Sequence, residues 1–150
     1  MADVVVDASA MVDALVGTPV GRLITQRLRG HALHAPAHFD AEVLSALGRL
    51  QRAGSLTTRQ VARRLTRLEA APIRRHLLAP LVKGAWRRHH NLRLVDALYA
   101  QLAAELGDAP LITTDKGLAV GARNGELIEP PRHDQTTPAD VSDTSDSDSE

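Results

Sequence analysis

The sequence predicts a three-layer α/β domain in residues 1–130, with helices on both faces of a small, mostly parallel sheet of four or five strands. Short apolar runs, such as the valines at 4–6, alternate with longer stretches of helical periodicity. A continuous β-branched run is typical of a strand buried on both faces, and strands separated by helices usually pair in parallel. A chain of 150 residues can bury one core without disulfides but has no room for a large sheet.

The first half of the chain is predicted to hold two strands and four helices. In order, the pattern predicts a strand at 4–6, a short helix ending at Gly17, a helix at about 19–29, a weaker strand in HALHAPA, and a helix over 39–53. Each of the longer helices carries a stripe of apolar residues and ends at a glycine, which commonly terminates helices. Thr57 and Gln60 have the spacing of a capping box, so the fourth helix is expected to begin there.

The second half is predicted to continue the alternation. In order, the pattern predicts a strand over 73–78, a helix from 80 to about 90, a helix over 94–106, a strand in PLITT, a brief helix, and a short edge strand in ELIE. The helix over 94–106 has the clearest periodicity, with leucines four residues apart, and Gly107 closes it.

The formal net charge of zero hides a strong asymmetry. Residues 131–150 hold six acids and one base, which leaves 12 acids and 17 bases, a net charge of +5, in residues 1–130. With one sizeable apolar residue, Val141, this acidic tail cannot offset its ordering entropy by burial, so we expect it to be disordered. The basic body indicates either a polyanionic partner or arginines that only solvate helix surfaces.

Arginines also form a regular pattern within this basic body. Arg59, Arg63 and Arg67 recur every four residues, so they share one stripe of the fourth helix. The stripe is interpreted as a candidate RNA-binding surface, and a solvated helix face is the alternative. Further arginines close to it in the sequence extend the candidate track: Arg52, Arg64, Arg74 and Arg75.

Several features exclude other classes of protein. The chain has no cysteine, which removes disulfides and thiolate chemistry and fits a reducing, cytoplasmic location. Only Phe39, Trp86 and Tyr99 are aromatic, so nucleic-acid binding by base stacking is not expected. No signal peptide and no membrane span is expected, and the sequence lacks the dinucleotide, P-loop, zincin and α/β-hydrolase motifs. A histidine metal site is not favoured, because His31, His34 and His38 flank a predicted loop without a fourth ligand.

Four carboxylates stand where chemistry is expected. Asp7 and Asp115 each follow a predicted strand, and Glu42 and Asp96 each lie in the first turn of a predicted helix. Ligands bind at the carboxyl edge of a parallel sheet, so these acids are expected to converge there. Converging carboxylates suit a hard cation such as Mg²⁺ or Mn²⁺. Each acid alone could instead be a helix cap or a dipole-stabilising residue, worth about 1 kcal/mol.

Four segments resemble the acidic motifs of PIN-domain ribonucleases, and most closely those of the VapC-type toxins of bacterial toxin–antitoxin pairs. The segments are VVVDASA, HFDAEVLSAL, NLRLVDALYAQLA and LITTDKGLA. DALYAQLA around Asp96 is the most specific of them, and the likeness covers residues 1–129 in the expected order. The resemblance implies a PIN-like fold, a metal-dependent endoribonuclease, a cognate antitoxin and a homodimer, and it offers no role for the acidic tail.

The resemblance also implies roles for the four acids. Asp7 and Asp96 are expected to bind Mg²⁺ directly, with Asp115 completing the site or holding a second ion, and Glu42 to orient water or act as general base. Ser9, Thr113 and Thr114 are expected to support these ligands by hydrogen bonds. Two other classes stay open: a non-catalytic RNA-binding or scaffold module, and a different Mg²⁺-dependent phosphoesterase.

Overall fold

A computed structural model describes residues 1–130 and residue 132, and the acidic tail otherwise lies outside the described residues. Five strands form one sheet within this part of the chain: β1 (Asp3–Val6), β2 (Ala32–Pro36), β3 (Ile73–His76), β4 (Leu111–Thr113) and β5 (Gly125–Leu127). Their order is β3-β2-β1-β4-β5, and every pairing is parallel. The predicted fold class is therefore confirmed, and the sheet described is parallel throughout.

Helices pack on the sheet in two groups. The described helices are α1 (Ala8–Val16), α2 (Pro19–Leu28), α3 (Phe39–Arg52), α4 (Thr58–Ala70), α5 (Val82–Trp86), α6 (Leu94–Glu105) and α7 (Lys116–Gly121), with a 3₁₀ turn at Ala79–Leu81. Helix α1 packs against α2, α3 and α4, whereas α6 packs against α5 and against the three central strands. No helix in the described part of the chain has both the length and the apolar character needed to cross a membrane.

The central strands are buried because their side chains are apolar on both faces. Val4, Val5 and Val6 have no exposed surface, and neither do Leu111 and Ile112 in the neighbouring strand β4. The predicted capping box is present, since Thr57 accepts a hydrogen bond from the Gln60 backbone while the Gln60 side chain accepts one from the Thr57 backbone. The buried side chains of Val6, Ile112 and Thr113 place the carboxyl ends of β1 and β4 within the core.

Two predicted elements differ from those observed. The strand predicted over 73–78 ends at His76, because its partner β2 ends at Pro36, the residue that pairs with His76. The helix predicted from 80 to about 90 is split into the 3₁₀ turn and the short helix α5, followed by turns. One of these turns is closed by a bond from the Arg88 amide to the Ala85 carbonyl.

The strand order changes direction once, between β1 and β4, and this place is the topological switch point of the sheet. From β1 the chain moves in one direction to β2 and β3, and the later strands β4 and β5 lie on the other side of β1. The crevice above the carboxyl ends of β1 and β4 is the place where open parallel sheets bind ligands. Asp7 directly follows β1, and Asp115 lies two residues beyond β4.

Candidate active site

A cavity of about 430 Å³ lies at this switch point. Its polar and charged lining consists of Asp7, Ser9, Asp13, Glu42, Arg49, Arg93, Asp96, Thr114 and Asp115. The structure therefore brings all four sequence-predicted acids to one cavity. They arrive from the ends of two strands and the first turns of α3 and α6.

Asp7 is held rigidly at the end of β1. Its side chain is 5% exposed, and its Oδ2 accepts hydrogen bonds from Ser9 Oγ at 2.5 Å and from Thr113 Oγ1 at 2.6 Å. Asp7 occupies the N-cap position of α1, but its side chain accepts no capping hydrogen bond there, and its contact with that helix is the bond from the Ser9 hydroxyl. Capping therefore does not explain the presence of this buried acid.

The electrostatic environment of Asp7 favours a cation. Burial raises the pKa of Asp7, and the nearby charge of Glu42 raises it further, whereas the bonds from Ser9 and Thr113 act in the opposite direction without reversing the shift. A positive ion beside Asp7 would offset both the burial and the repulsion.

Glu42 is oriented by two neighbours. Its Oε1 accepts a hydrogen bond from the Tyr99 hydroxyl at 2.6 Å and lies 3.1 Å from Nε2 of His38. Burial tends to raise the pKa of Glu42, but the hydrogen bonds from His38 and Tyr99 and the charges of His38 and Arg93 lower it overall. Glu42 is therefore ionised at neutral pH and ready to accept a hydrogen bond or a proton.

Asp115 has two separate contacts. Its Oδ1 accepts a hydrogen bond from the backbone of Leu118 at 3.0 Å, so it caps α7, while its Oδ2 lies 3.5 Å from Nη2 of Arg93. The capping role considered for this acid is real, but it uses only one of the two carboxylate oxygens.

Asp96 is the second buried acid of the cavity. It is 8% exposed, and its Oδ2 accepts a hydrogen bond from Nε of Arg93 at 2.8 Å. The hydrogen bond and the charge of Asp96 raise the pKa of Arg93. Arg93 thus links Asp96 to Asp115, and its side chain remains 78% exposed.

The donor set of the cavity suits a hard cation. All the candidate ligands are oxygens, Asp7 is destabilised as an anion by burial, and the Asp96–Asp115 pair already attracts a guanidinium. Among the described residues no three His, Asp or Glu side chains are close enough to hold an ion together. The chemistry fits Mg²⁺, and an ion bound through Oδ2 of Asp96 or of Asp115 would have to replace Arg93 there.

A family model described as the PIN domain matches residues 4–124, a span that includes all four acids. The chain belongs to the PIN-domain family. It is similar to ribonuclease VapC3 of Mycobacterium tuberculosis, with 56% identity over 117 residues that cover 77% of this chain and 85% of the relative. It is also similar to ribonuclease VapC12 of the same organism, with 36% identity over 126 residues that cover 84% and 97% of the two chains. The resemblance to VapC-type PIN-domain proteins is thereby confirmed.

Solved structures agree on the fold. PAE2754 from Pyrobaculum aerophilum matches with a TM-score of 0.59 at 23% identity, covering 83% of this chain and 82% of the other. A toxin–antitoxin complex from Klebsiella pneumoniae matches with the same TM-score at 18% identity, covering 83% and 96%. At these identities the likeness establishes the PIN-like architecture alone.

The predicted arginine stripe of this PIN domain lies on α4. Arg59, Arg63 and Arg67 are all exposed, and Nη1 of Arg67 also donates a hydrogen bond to the carbonyl of Leu15 at 3.3 Å. Arg67 also lines a separate cavity with Ile73, the first residue of β3, and so lies toward the opposite edge of the sheet from the carboxylates. In the described residues, the structure does not bring Arg67 to the carboxylate cavity.

Arg75, grouped with the stripe on sequence, has a structural role in the PIN domain. Its guanidinium donates to both carboxylate oxygens of Asp40, at 3.0 and 3.1 Å. It also donates to three backbone carbonyls, those of Leu68, Ala71 and Ile73. Because these contacts use its donors, Arg75 joins β3 to α3 and α4 and is not open to a phosphate.

Sequence reasoning missed four residues of the PIN-domain site. Arg93, Arg49 and Asp13 line the cavity, and Tyr99 orients Glu42. Arg93 and Tyr99 lie three residues before and after Asp96 in the motif NLRLVDALYA, and residues three apart on a helix are neighbours. That spacing could have identified both, whereas Arg49 lies on α3 and reaches the cavity only through the fold.

The weaker strand predicted in HALHAPA is confirmed, and His34 lies within it as part of β2. Its Nε2 is 2.9 Å from Asp3 Oδ1, and its Nδ1 is 2.9 Å from His76 Nε2. Parallel pairing with β1 and β3 on both sides stabilises this segment as a strand, although its sequence pattern is weak. The resulting Asp3–His34–His76 chain crosses three strands outside the carboxylate cavity.

Proposed function

We propose that this PIN domain is a metal-dependent endoribonuclease of the toxin type, which hydrolyses RNA phosphodiester bonds and is neutralised by a cognate antitoxin. The observation that carries the proposal is the convergence of Asp7, Glu42, Asp96 and Asp115 on one cavity at the switch point. The identity to proteins named ribonucleases supports RNA as the substrate.

The residues have separable tasks in this reaction. Asp7 and Asp96 would hold Mg²⁺, or Mn²⁺, and Asp115 would complete the site. When bound, the cation supplies an activated water and neutralises charge on the phosphoryl oxygens. Ser9 and Thr113 hold Oδ2 of Asp7 by hydrogen bonds, which leaves Oδ1 available for a ligand.

Glu42 is the candidate group for moving a proton. The hydroxyl of Tyr99 and the ring of His38 both contact Oε1 of Glu42, so the second oxygen is available to orient a water or accept its proton. The lowered pKa of Glu42 keeps it ionised, as a general base must be before it takes a proton.

The test is cleavage of total RNA with controlled metal and mapped product ends. Asp7→Asn and Asp96→Asn are expected to lower the rate by orders of magnitude while the thermal unfolding transition persists, because asparagine matches the shape of aspartate without its charge. Asp108→Asn is the matched control, since Asp108 is exposed and lies outside the carboxylate cavity. Cleavage that chelation or Asp7→Asn leaves unchanged would refute the assignment.

Two further substrates separate the alternative classes. DNA and a small phosphate ester are incubated under the same conditions as RNA. RNA bound but not cut with any divalent metal would indicate a binding or scaffold module. Faster turnover of DNA or of the small ester would indicate a different phosphoesterase.

An antitoxin is the expected partner of the carboxylate cavity. The bond from Arg93 to Asp96 shows that a guanidinium fits there, so an arginine or lysine of a small protein could block the acids in the same way. Co-expression with the product of the adjacent small reading frame tests this, and relief of growth arrest is the expected result. Growth arrest that no neighbouring product relieves would contradict the partner assignment.

The remaining expectations concern assembly, RNA contact and location. Val82, Trp86, Leu94 and Val95 are about half exposed and form an apolar surface between α5 and α6, which supports a homodimer. Sedimentation analysis should then give twice the mass of the chain. Exposed Arg59, Arg63 and Arg67 remain candidates for RNA contact. The absence of cysteine supports a cytoplasmic location, which imaging of a tagged chain tests.

A further inference from the structure

Arg93 contacts two of the four acids in the carboxylate cavity. It is the residue just before α6, with Nε 2.8 Å from Asp96 Oδ2 and Nη2 3.5 Å from Asp115 Oδ2. Two of the acids proposed to serve the cation are therefore neutralised by a side chain of the same protein. The same Asp96 oxygen cannot accept the guanidinium in this geometry and also bind an ion at full strength.

A second arginine in the cavity provides a comparison for the role of Arg93. Arg49 also lines the cavity, but no ion pair within 4.0 Å joins it to an acid in the described residues. The two arginines contribute the same charge to the cavity, and only Arg93 has direct contact with the acids. Direct contact and general electrostatic repulsion of a cation can thus be separated experimentally.

Arg93 can leave the acids without disturbing the fold. Its side chain is 78% exposed, so the guanidinium can turn into water, while its backbone carbonyl keeps the hydrogen bond from the Ala97 amide in the first turn of α6. An arginine cannot lose its proton at ordinary pH, so it can stop neutralising the acids only by moving.

We propose that Arg93 is an exchangeable counter-ion of the carboxylate cavity: it bonds Asp96 and Asp115 when no divalent cation is bound, and a divalent cation that binds the same carboxylate oxygens displaces it. Arg93 therefore sets the affinity of the site for the cation and keeps the acids neutralised between binding events. This inference rests on the proposed function, because it requires the carboxylates to be the cation site.

The experiment measures Mn²⁺ binding by titration calorimetry at low salt, with no RNA present, for the wild type, Arg93→Gln, Arg93→Lys and Arg49→Gln. Arg93→Gln is expected to bind Mn²⁺ about two- to fivefold more tightly than Arg49→Gln, the range that an exposed ion pair supports. Arg93→Lys keeps the charge but loses the two-pronged contact, so its affinity should lie between wild type and Arg93→Gln. The advantage of Arg93→Gln should shrink as the salt concentration rises.

Other outcomes show whether the counter-ion role of Arg93 or the cation site itself is wrong. Equal Mn²⁺ affinity of Arg93→Gln and Arg49→Gln, or weaker binding by Arg93→Gln, would overturn the counter-ion role. If Asp96→Asn abolishes Mn²⁺ binding in that case, the proposed metal site stands and only this inference fails. If the wild type binds no Mn²⁺, or if Asp96→Asn binds as the wild type does, the cation site itself is wrong and both proposals fail.

Discussion

The hydroxyl of Tyr99 donates a 2.6 Å hydrogen bond to Oε1 of Glu42. Tyr99 lies on α6 and has no exposed surface, whereas Glu42 lies in the first turn of α3, with about a third of its side chain exposed. The bond thus joins the helix that carries Asp96 to the helix that carries the candidate general base. It also contributes to lowering the pKa of Glu42.

Tyr99→Phe should therefore slow RNA cleavage through Glu42. The variant loses one hydrogen bond, worth roughly 1 kcal/mol, so a rate reduction of up to about tenfold is expected with little change of fold. Because a donor to Glu42 is lost, its pKa should rise and the acid limb of the pH–rate profile should move to higher pH.

A double-mutant cycle with Glu42→Gln checks that the effect passes through Glu42. In the Glu42→Gln background, Tyr99→Phe should have almost no further effect on the rate. Equal rate reductions in both backgrounds would show that Tyr99 acts through packing alone.

Two glycine substitutions should have opposite effects on stability. A Cβ at Gly21 of α2 would lie 1.9 Å from the backbone carbonyl oxygen of Asp13, which α1 cannot move aside cheaply. Gly21→Ala should therefore lower the free energy of unfolding by about 1–3 kcal/mol. At Gly48 of α3, a Cβ would meet only the end of the Arg52 side chain, at 3.5 Å.

Gly48→Ala is the matched control for this prediction. A helix gains about 0.5–1 kcal/mol when alanine replaces an interior glycine without a clash, so this variant should be more stable than the wild type. Urea unfolding of the two variants measures the difference. A stable Gly21→Ala variant would mean that α1 and α2 pack less closely than described.

His76 should make stability depend on pH. Burial lowers the pKa of His76 below its ordinary 6.5, and the charges of His34 and Arg74 lower it further, against a weaker opposing effect of Glu105. As the pH falls below 6.5, the unfolded chain binds a proton on His76 before the folded chain does. The free energy of unfolding should therefore decrease as the pH falls through this window, and be retained above it.

Thermal unfolding from neutral pH downward tests this sign. His76→Gln should reduce the loss of stability below pH 6.5, whereas His90→Gln, at an exposed position, should not. The slope of stability against pH is the decisive quantity, because His76→Gln also removes the contact with His34 and can shift stability at every pH. An unchanged slope in His76→Gln would contradict the assignment.

Deletion of the acidic tail should strengthen RNA binding. Truncation after Pro130 removes six acids and one base and so changes the net charge by +5. A tethered polyanion acts at an effective concentration that reaches about the millimolar range, and it competes with RNA phosphates for exposed arginines such as Arg59 and Arg63. The gain should be largest at low salt, with an unchanged melting midpoint.

The measurement uses Asp7→Asn chains, so that RNA is bound without being cut. A tail with its six acids replaced by their amides should behave like the truncation, and a tail with shuffled sequence should behave like the wild type. Equal affinity of full-length and truncated chains at low salt would show that the tail does not compete. A lower melting midpoint after truncation would show that it packs on the body.

The order of the strands and helices, and the four acids expected at the carboxyl edge of the sheet, could be predicted from the sequence. The valines at 4–6 fix a buried central strand because a β-branched run buries well on both faces, and Thr57 with Gln60 specify a helix start through local hydrogen bonds. Asp7 and Asp115 follow strands, and parallel pairing brings the carboxyl ends of strands together. Each of these inferences depends on neighbours within a few residues or on a general rule of topology.

Which charged side chains contact each other depends on the tertiary structure. Arg49 and Arg93 line the carboxylate cavity, whereas Arg67 and Arg75 of the same basic region contact the carbonyl of Leu15 and the carboxylate of Asp40. The sequence does not distinguish these arginines from one another, because a run of charged residues does not specify the direction in which each long side chain points. The direction depends on which helix packs alongside, and distances between residues far apart in the chain are set by the folded packing alone.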